Sequence, residues 1–231
     1  YGLIDSCKLI LFDMNKTKLS KKIKIGLVQI NNSFSGASYF PYTVGLLQAY
    51  IEEHSEFSDR YDFLPFVYCR VSAEEGVSQL LDANIVGFSS YVWNFRLSLE
   101  IARRLKKQNS EILIVFGGPQ VPDQAESFLS KFPFIDVVCH GEGEQVFCSI
   151  VENYPSKDWR SIPSISYVNS DGVFVNHPKA PRIKDLDIIP SPYLNGLFET
   201  LILENPRNEW LSLWETNRGC PFSCTFCDWG S

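Results

Sequence analysis

Five short runs limit what this chain can fold into: KIGLVQI at 24–30, YDFLPFVY at 61–68, IVGFSS at 85–90, ILIVFGG at 112–118 and IDVVCH at 135–140. They are apolar and rich in β-branched or aromatic residues. Four of them are nearly continuous rather than alternating, the pattern of strands buried on both faces, as in a parallel sheet. The segments between them carry helical period. Val44, Leu47 and Ile51 repeat as i, i+3, i+7; Leu97, Ile101 and Leu105 as i, i+4, i+8; Ala125, Phe128, Leu129 and Phe132 as i, i+3, i+4, i+7. Ser72 and Glu75 have the spacing of a capping box ahead of Val77, Leu80 and Leu81, and Val146, Ile150, Val151 and Tyr154 fit a last helix. Strand and helix alternating in this way over residues 23–154 predict a doubly wound α/β domain with a five-stranded parallel sheet.

The flanks are different in kind. Residues 1–22 carry five lysines around one apolar patch, Leu9 to Phe12, and read as a lead-in of uncertain structure. Residues 155–208 read as a linker: ISYVNSDGVFV gives two alternating runs around Asp171 and Gly172, a hairpin signal, and Pro178, Pro181, Pro190, Pro192 and Pro206 forbid one long helix. Over 209–231, WLSLWET (210–216) predicts one more strand, and NRGCPFSCTFCDWGS follows it directly.

Composition narrows the function classes. A net charge of −6 argues against a nucleic-acid-binding surface, which shows itself as an excess of Lys and Arg, and makes a small-molecule substrate the better expectation. No apolar run approaches the ~20 residues that span a bilayer. Seven cysteines, an odd number, suit metal ligation or buried thiols in a reducing compartment better than a disulfide framework, so a cytoplasmic setting is expected. The first residue is Tyr1 and the cysteine motif sits at the other end, which reads as a piece of a longer protein whose isolated activity is not expected.

In an open α/β sheet, ligands bind beyond the carboxyl ends of the strands. Ser89-Ser90-Tyr91 follows the third predicted strand, Gly117-Gly118-Pro119 the fourth and Gly141-Glu142-Gly143-Glu144 the fifth. Glycine there permits positive φ and close approach of a ligand to the backbone, and the next helix N-terminus offers free N–H groups. The duller reading, that each loop merely turns the chain, stays open for every one taken singly. No GxGxxG follows the first predicted strand, which disfavours a nicotinamide dinucleotide, and no Walker A lysine occurs.

Cys220, Cys224 and Cys227 form a CxxxCxxC loop. Three thiolates can hold one face of a four-iron cluster and leave one iron open to a substrate or cofactor, whereas ferredoxins close the cluster with a fourth cysteine. Structural zinc takes four ligands, commonly from CxxC pairs, and this spacing without a nearby histidine favours the open cluster. Cys7, Cys69, Cys139 and Cys148 lie in or beside apolar elements and read as small hydrophobes. His140 reads as a pocket-lining or hydrogen-bonded side chain rather than a metal ligand; His54 and His177 read as surface or turn residues, and Glu142 and Glu144 as caps of the next helix.

A strand followed by GCPFSCTFCDWG resembles the opening of the radical S-adenosylmethionine (SAM) superfamily, whose CxxxCxΦC motif follows the first strand of a partial (β/α) barrel; Cys220, Cys224, Phe226 and Cys227 match its informative positions. The resemblance implies a 4Fe-4S cluster on the three cysteines, SAM on the fourth iron, Phe226 beside the adenine, and reductive cleavage to a 5'-deoxyadenosyl radical. VFGGPQVP, IDVVCHGEGE and LDIIPSPY resemble segments of the cobalamin-dependent class of that superfamily. This implies a Rossmann-like cobalamin-binding domain over 23–154, with Ser89, Ser90, Gly117, Gly118, Gly141 and Glu142 lining the corrin pocket, ahead of the first strand and cluster loop of a truncated barrel. The DxHxxG loop of many cobalamin proteins is missing: NNSFSGASYF (31–40) has no histidine, so the lower axial position of cobalt is expected to be empty or held by water or another group. The implied activity is methyl transfer to an unactivated carbon or phosphorus, or a radical ring rearrangement, with an external electron donor such as a flavodoxin or ferredoxin. A zinc-stabilised small-molecule-binding module and a cobalamin-binding regulatory protein without radical chemistry are the alternatives.

Overall fold

The structure of the protein is a computed structural model that describes residues 22–31, 36–220, 222 and 224–227. Apart from Lys22, the expected lead-in lies outside the described residues, as does Cys7. The strands of the first half are β1 (Ile23–Val28), β2 (Ala37–Tyr39), β3 (Tyr61–Phe63), β4 (Ile85–Ser89), β5 (Leu113–Gly117) and β6 (Val137–Cys139). Between them lie the helices α1 (Tyr42–His54), α2 (Ala73–Leu80), α3 (Phe95–Gln108) and α4 (Glu126–Lys131), and α5 (Glu144–Glu152) follows β6. Five strands pair in parallel in the order β3-β1-β4-β5-β6, as the five runs predict.

The continuity of those runs has a direct cause. Successive side chains of a strand point to opposite faces, and here both faces are covered by helices. In β5, Leu113 and Val115 enter the layer closed by Val44 and Ile51 of α1 and Val146, Phe147, Ile150 and Val151 of α5. Ile114 and Phe116 enter the opposite layer, closed by Val77 and Leu80 of α2, Ile101 and Leu105 of α3, and Phe128 and Leu129 of α4. Complete burial of a side chain such as Phe116 contributes about 1.5–3 kcal/mol. The capping box that starts α2 is present: the Ser72 hydroxyl accepts from Glu75 N at 3.2 Å, and the Glu75 carboxylate accepts from Ser72 N at 3.4 Å. In YDFLPFVY the strand proper stops at Phe63 because Pro65 has no N–H to give; the run regains β1 at Val67, whose N–H reaches Leu27 O at 3.0 Å.

Two expectations change. The hairpin assigned to the linker, β7 (Ile165–Val168) and β8 (Phe174–Asn176), adds antiparallel to β6 and extends the sheet to seven strands. Its apolar face decides this, since Ile165 and Tyr167 are buried in the same layer as Val137. Its turn is tied by Asn169, whose side-chain oxygen accepts from Asp171 N and Val173 N. The strand expected over 210–216 is shorter, β9 (Glu209–Leu211), and rather than presenting an open edge it pairs in parallel with β2. Trp210 of β9 stacks on Phe40 at 4.5 Å, and Phe40 in turn stacks on Phe198, next to the short helix α6 (Glu199–Glu204). Beyond Leu211 the side chains of Leu213 and Trp214 are exposed, so nothing apolar holds that stretch in a strand.

Candidate functional site

The loops at the carboxyl ends of β1, β4, β5 and β6 share one edge of the sheet, and all six residues expected to face a corrin lie there. Ser89 ends β4, Ser90 follows it, and both are buried. Ser90 N donates to Gly117 O at 2.8 Å, and Gln120 N donates to Ser90 O at 3.2 Å, so the β4 and β5 loops are laced backbone to backbone. Gly118 is required by that lacing: its φ is +91°, and a Cβ there would stand 2.8 Å from Ser90 O and 2.9 Å from Ser90 N. The close approach expected of a ligand is therefore made by the protein's own backbone. Gly141 differs, with φ +71° and open space where a Cβ would stand, so a ligand can reach the backbone of the β6 loop.

Glu142 is not a helix cap. Its Oε2 accepts from Ile183 N at 2.6 Å and so holds the connector, while α5 begins from Gly143 without any side-chain cap. Glu144, in the first turn of α5, is buried and forms a two-pronged pair with Arg218, at 2.6 and 3.0 Å. Burial works against the Arg218 charge, but the carboxylates of Glu144 and Glu215 outweigh it and hold the guanidinium above its ordinary range.

Besides Tyr91, already expected on this edge, three further polar side chains organise it: Asn94, Gln29 and Thr43. The Asn94 amide donates to Ile30 O at 3.1 Å and Ser89 O at 3.0 Å, joining the ends of β1 and β4, and its oxygen accepts from Tyr91 N at 2.8 Å. In sequence it is indistinguishable from an ordinary N-cap of α3, a bond that it does not make. Gln29 accepts from Val44 N at 3.2 Å, and the Tyr91 hydroxyl lies 2.9 Å from the Thr43 hydroxyl, so the N-terminus of α1 is tied to the same edge. A cleft of about 180 Å³ opens beside it, between Tyr42, Leu186, Tyr193, Trp214 and Arg218.

Three buried polar atoms have no hydrogen-bond partner here: Ser90 Oγ, His140 Nδ1 and Glu142 Oε1. Ser166 Oγ gives its one hydrogen to Asn176 Oδ1 at 2.7 Å, so at 2.8 Å it accepts from His140 Nε2. This leaves Nδ1 as an acceptor, and burial lowers the His140 pKa, which keeps the ring neutral. His140 is thus the hydrogen-bonded histidine the sequence suggested. An orphaned Ser90 hydroxyl on an edge with one sterically open glycine fits a large ligand rich in amide groups, such as a corrin, which would pair with it.

Cys220, Cys224, Cys227 and Phe226 are all exposed, and Cys227 N closes a turn onto Cys224 O at 3.2 Å. Among the described residues the three thiols are not gathered into one ligand set. Their donor chemistry, three soft thiolates from one loop, suits iron–sulfur ligation. Cys139 and Cys148 are the opposite case: burial pushes both thiols up to about 12, where they are inert. Cys69, expected beside them, is exposed because its loop follows Val67 at the sheet edge. No described helix is long and apolar enough to cross a membrane.

The B12 binding domain family matches residues 67–151. The chain is 36% identical over 197 residues to the cobalamin-dependent radical SAM methyltransferase TokK of Streptomyces tokunonensis, and 35% identical over 199 residues to the 2-(S-pantetheinyl)-carbapenam-3-carboxylate methyltransferase of Streptantibioticus cattleyicolor. Each match covers 84% of this chain but 29% of the relative, so the chain spans less than a third of their length. The fold is similar, at a TM-score of 0.69 and 22% identity, to that of the cobalamin-dependent SAM radical enzyme OxsB, in a structure with aqua-cobalamin and SAM bound; 90% of this chain and 28% of that one are covered. Residues 67–151 thus match the B12 binding domain family, and over most of its length the chain is similar to part of a cobalamin-dependent radical SAM methyltransferase.

Proposed function

We propose that the carboxyl edge of the sheet binds cobalamin, that Cys220, Cys224 and Cys227 hold a 4Fe-4S cluster, and that both serve SAM-dependent methyl transfer to an unactivated carbon of a small molecule. The observation that carries the reading is one sheet edge that bears the β4, β5 and β6 loops of the stretch matched to the B12 binding domain family, with Arg218, two residues before Cys220, paired to it through Glu144. Bound there, a corrin supplies a transferable methyl group and a three-thiolate cluster supplies an electron and an open iron for SAM. The protein's own part is placement. Ser90 Oγ donates to the ligand, Gly141 leaves room for it, and Asn94 fixes the spacing of the strand ends beneath it. Phe226, exposed between Cys224 and Cys227, offers a ring to the adenine of SAM. A flavodoxin or ferredoxin as electron donor and a cytoplasmic setting suit exposed thiols that must stay reduced.

Anaerobic reconstitution tests this. Iron and sulfide should appear in near-equal amounts and be lost on replacing Cys220, Cys224 or Cys227 with Ala, but not in Cys148→Ala. Stoichiometric zinc without sulfide would sink the cluster assignment.

A further inference from the structure

We propose that Glu144 and Arg218 act as one unit that sets the position of the cysteine loop against the corrin-facing edge, an inference that rests on the cobalamin and cluster reading above. Arg218 stands two residues before Cys220, in a stretch, 212–219, that forms no helix or strand. Backbone structure therefore does not place it, and side-chain ties must. Glu144 is a rigid base for such a tie, because α5 is buried through Val146, Phe147, Ile150 and Val151. The two parallel bonds from the guanidinium fork to the carboxylate fix direction as well as distance, which a lysine would not do. The third guanidinium nitrogen, Nε, donates to Glu215 at 3.0 Å, so the arginine also folds its own segment. Glu142 Oε1 lies 3.7 Å away, and its other oxygen holds Ile183 N. The side chains of Arg218 and Glu144 are only 14% and 5% exposed, so water weakens the pair little. Gly219 completes the device: its φ is +81°, and the Arg182 guanidinium occupies the place of a Cβ. The two glutamates that flank Gly143 thus connect the β6 loop both to the connector and to the base of the cysteine loop.

The charges give an ordered set of outcomes. Arg218→Met removes the cation that Glu144, Glu215 and the nearby Glu142 share, whereas Glu144→Gln leaves Arg218 two carboxylates. Chymotryptic cleavage after Leu213 and Trp214, both exposed, should therefore accelerate about tenfold or more in the cofactor-free chain of Arg218→Met, and less in Arg218→Lys and in Glu144→Gln. The double variant Glu144→Gln/Arg218→Met should be cleaved more slowly than Arg218→Met, because one of the facing charges is gone. Amide hydrogen exchange across α3 should not change in any of them, which controls for global unfolding. Unaltered cleavage in Arg218→Met, or a double variant cleaved faster than either single one, overturns the proposal. A second readout isolates positioning. With cobalamin and cluster loaded, the magnetic dipolar coupling between cobalt(II) and the reduced cluster should report one narrow distance in the parent sequence and a broadened one in Arg218→Met; an unbroadened distance also overturns it. If the chain binds no cobalamin at all, the cobalamin reading fails on its own and the cleavage rates decide the unit.

Discussion

The sheet domain and the stretch from Glu209 to Cys227 are held in place by different forces. In the domain, the strands send alternate side chains into two closed apolar layers, and residues such as Phe116, Ile114 and Leu105 see no solvent. In the C-terminal stretch Leu211, Leu213, Trp214, Phe222 and Phe226 are exposed, and it is placed by a three-residue strand pairing, an aromatic stack, the Tyr193 hydroxyl bonded to both Leu213 N and Leu213 O, and the Arg218 ion cluster. Burial is non-directional and tolerates no gaps; a few directional contacts position a segment while stabilising it little.

The largest expected effect should break the comparison if it is false. Phe116→Ala should destabilise the protein by about 3–5 kcal/mol in urea unfolding, whereas Trp214→Ala should change stability by no more than about 0.5 kcal/mol. Similar losses from both would mean that the C-terminal stretch is part of the cooperative core. A middle-sized effect separates the two loop glycines. Gly141→Ala carries only the strain of a left-handed backbone, about 1–2 kcal/mol; Gly118→Ala adds the clash with Ser90 O and N and should be clearly worse. Visible-light titration with cobalamin sharpens the result, since Gly141→Ala should weaken corrin binding beyond its small cost in stability. Equal stability of the two variants would remove the backbone lacing.

The smallest effect is a pH slope. Because burial lowers the His140 pKa in the folded state, the unfolded chain, with an imidazole near about 6.5, binds more protons below that value. The stability due to the neutral ring is thus complete above about pH 6.5 and falls as pH drops through the lowered folded value. His140→Gln should flatten the dependence between pH 7 and 5; an unchanged slope would show that the ring is protonated in place.

What the sequence disclosed follows the same division. Burial on both faces writes itself into contiguous runs, and the capping box and the Asp171-Gly172 turn are local signals, so the parallel sheet, its helices and the hairpin could be read from neighbouring residues. Contacts between distant residues leave no such trace. Glu142 and Glu144 have the spacing of helix caps, and only Ile183, 41 residues beyond the first, and Arg218, 74 residues beyond the second, show their use. β2 and β9 are too short to carry a period, and the hairpin's place in the sheet depends on β6, 26 or more residues earlier. Gly118 looked open to a ligand because the sequence cannot show Ser90 lying against it.

The pairing of Ala37 with Glu209 also has a consequence for synthesis. A chain emerging from the ribosome meets the partners of β1 early, since β3 and β4 follow within a few dozen residues. β2 has no strand to join until almost the whole of this stretch has been made. Its closure spans a loop of well over a hundred residues, so it adds to the entropy of the search and belongs to the last events of folding. Until then Phe40 lacks the indole it stacks on, and the segment just ahead of α1 is open to chaperones and proteases. The maturing protein therefore completes the strand ends of its large sheet before the strand that leads into the cysteine loop is seated.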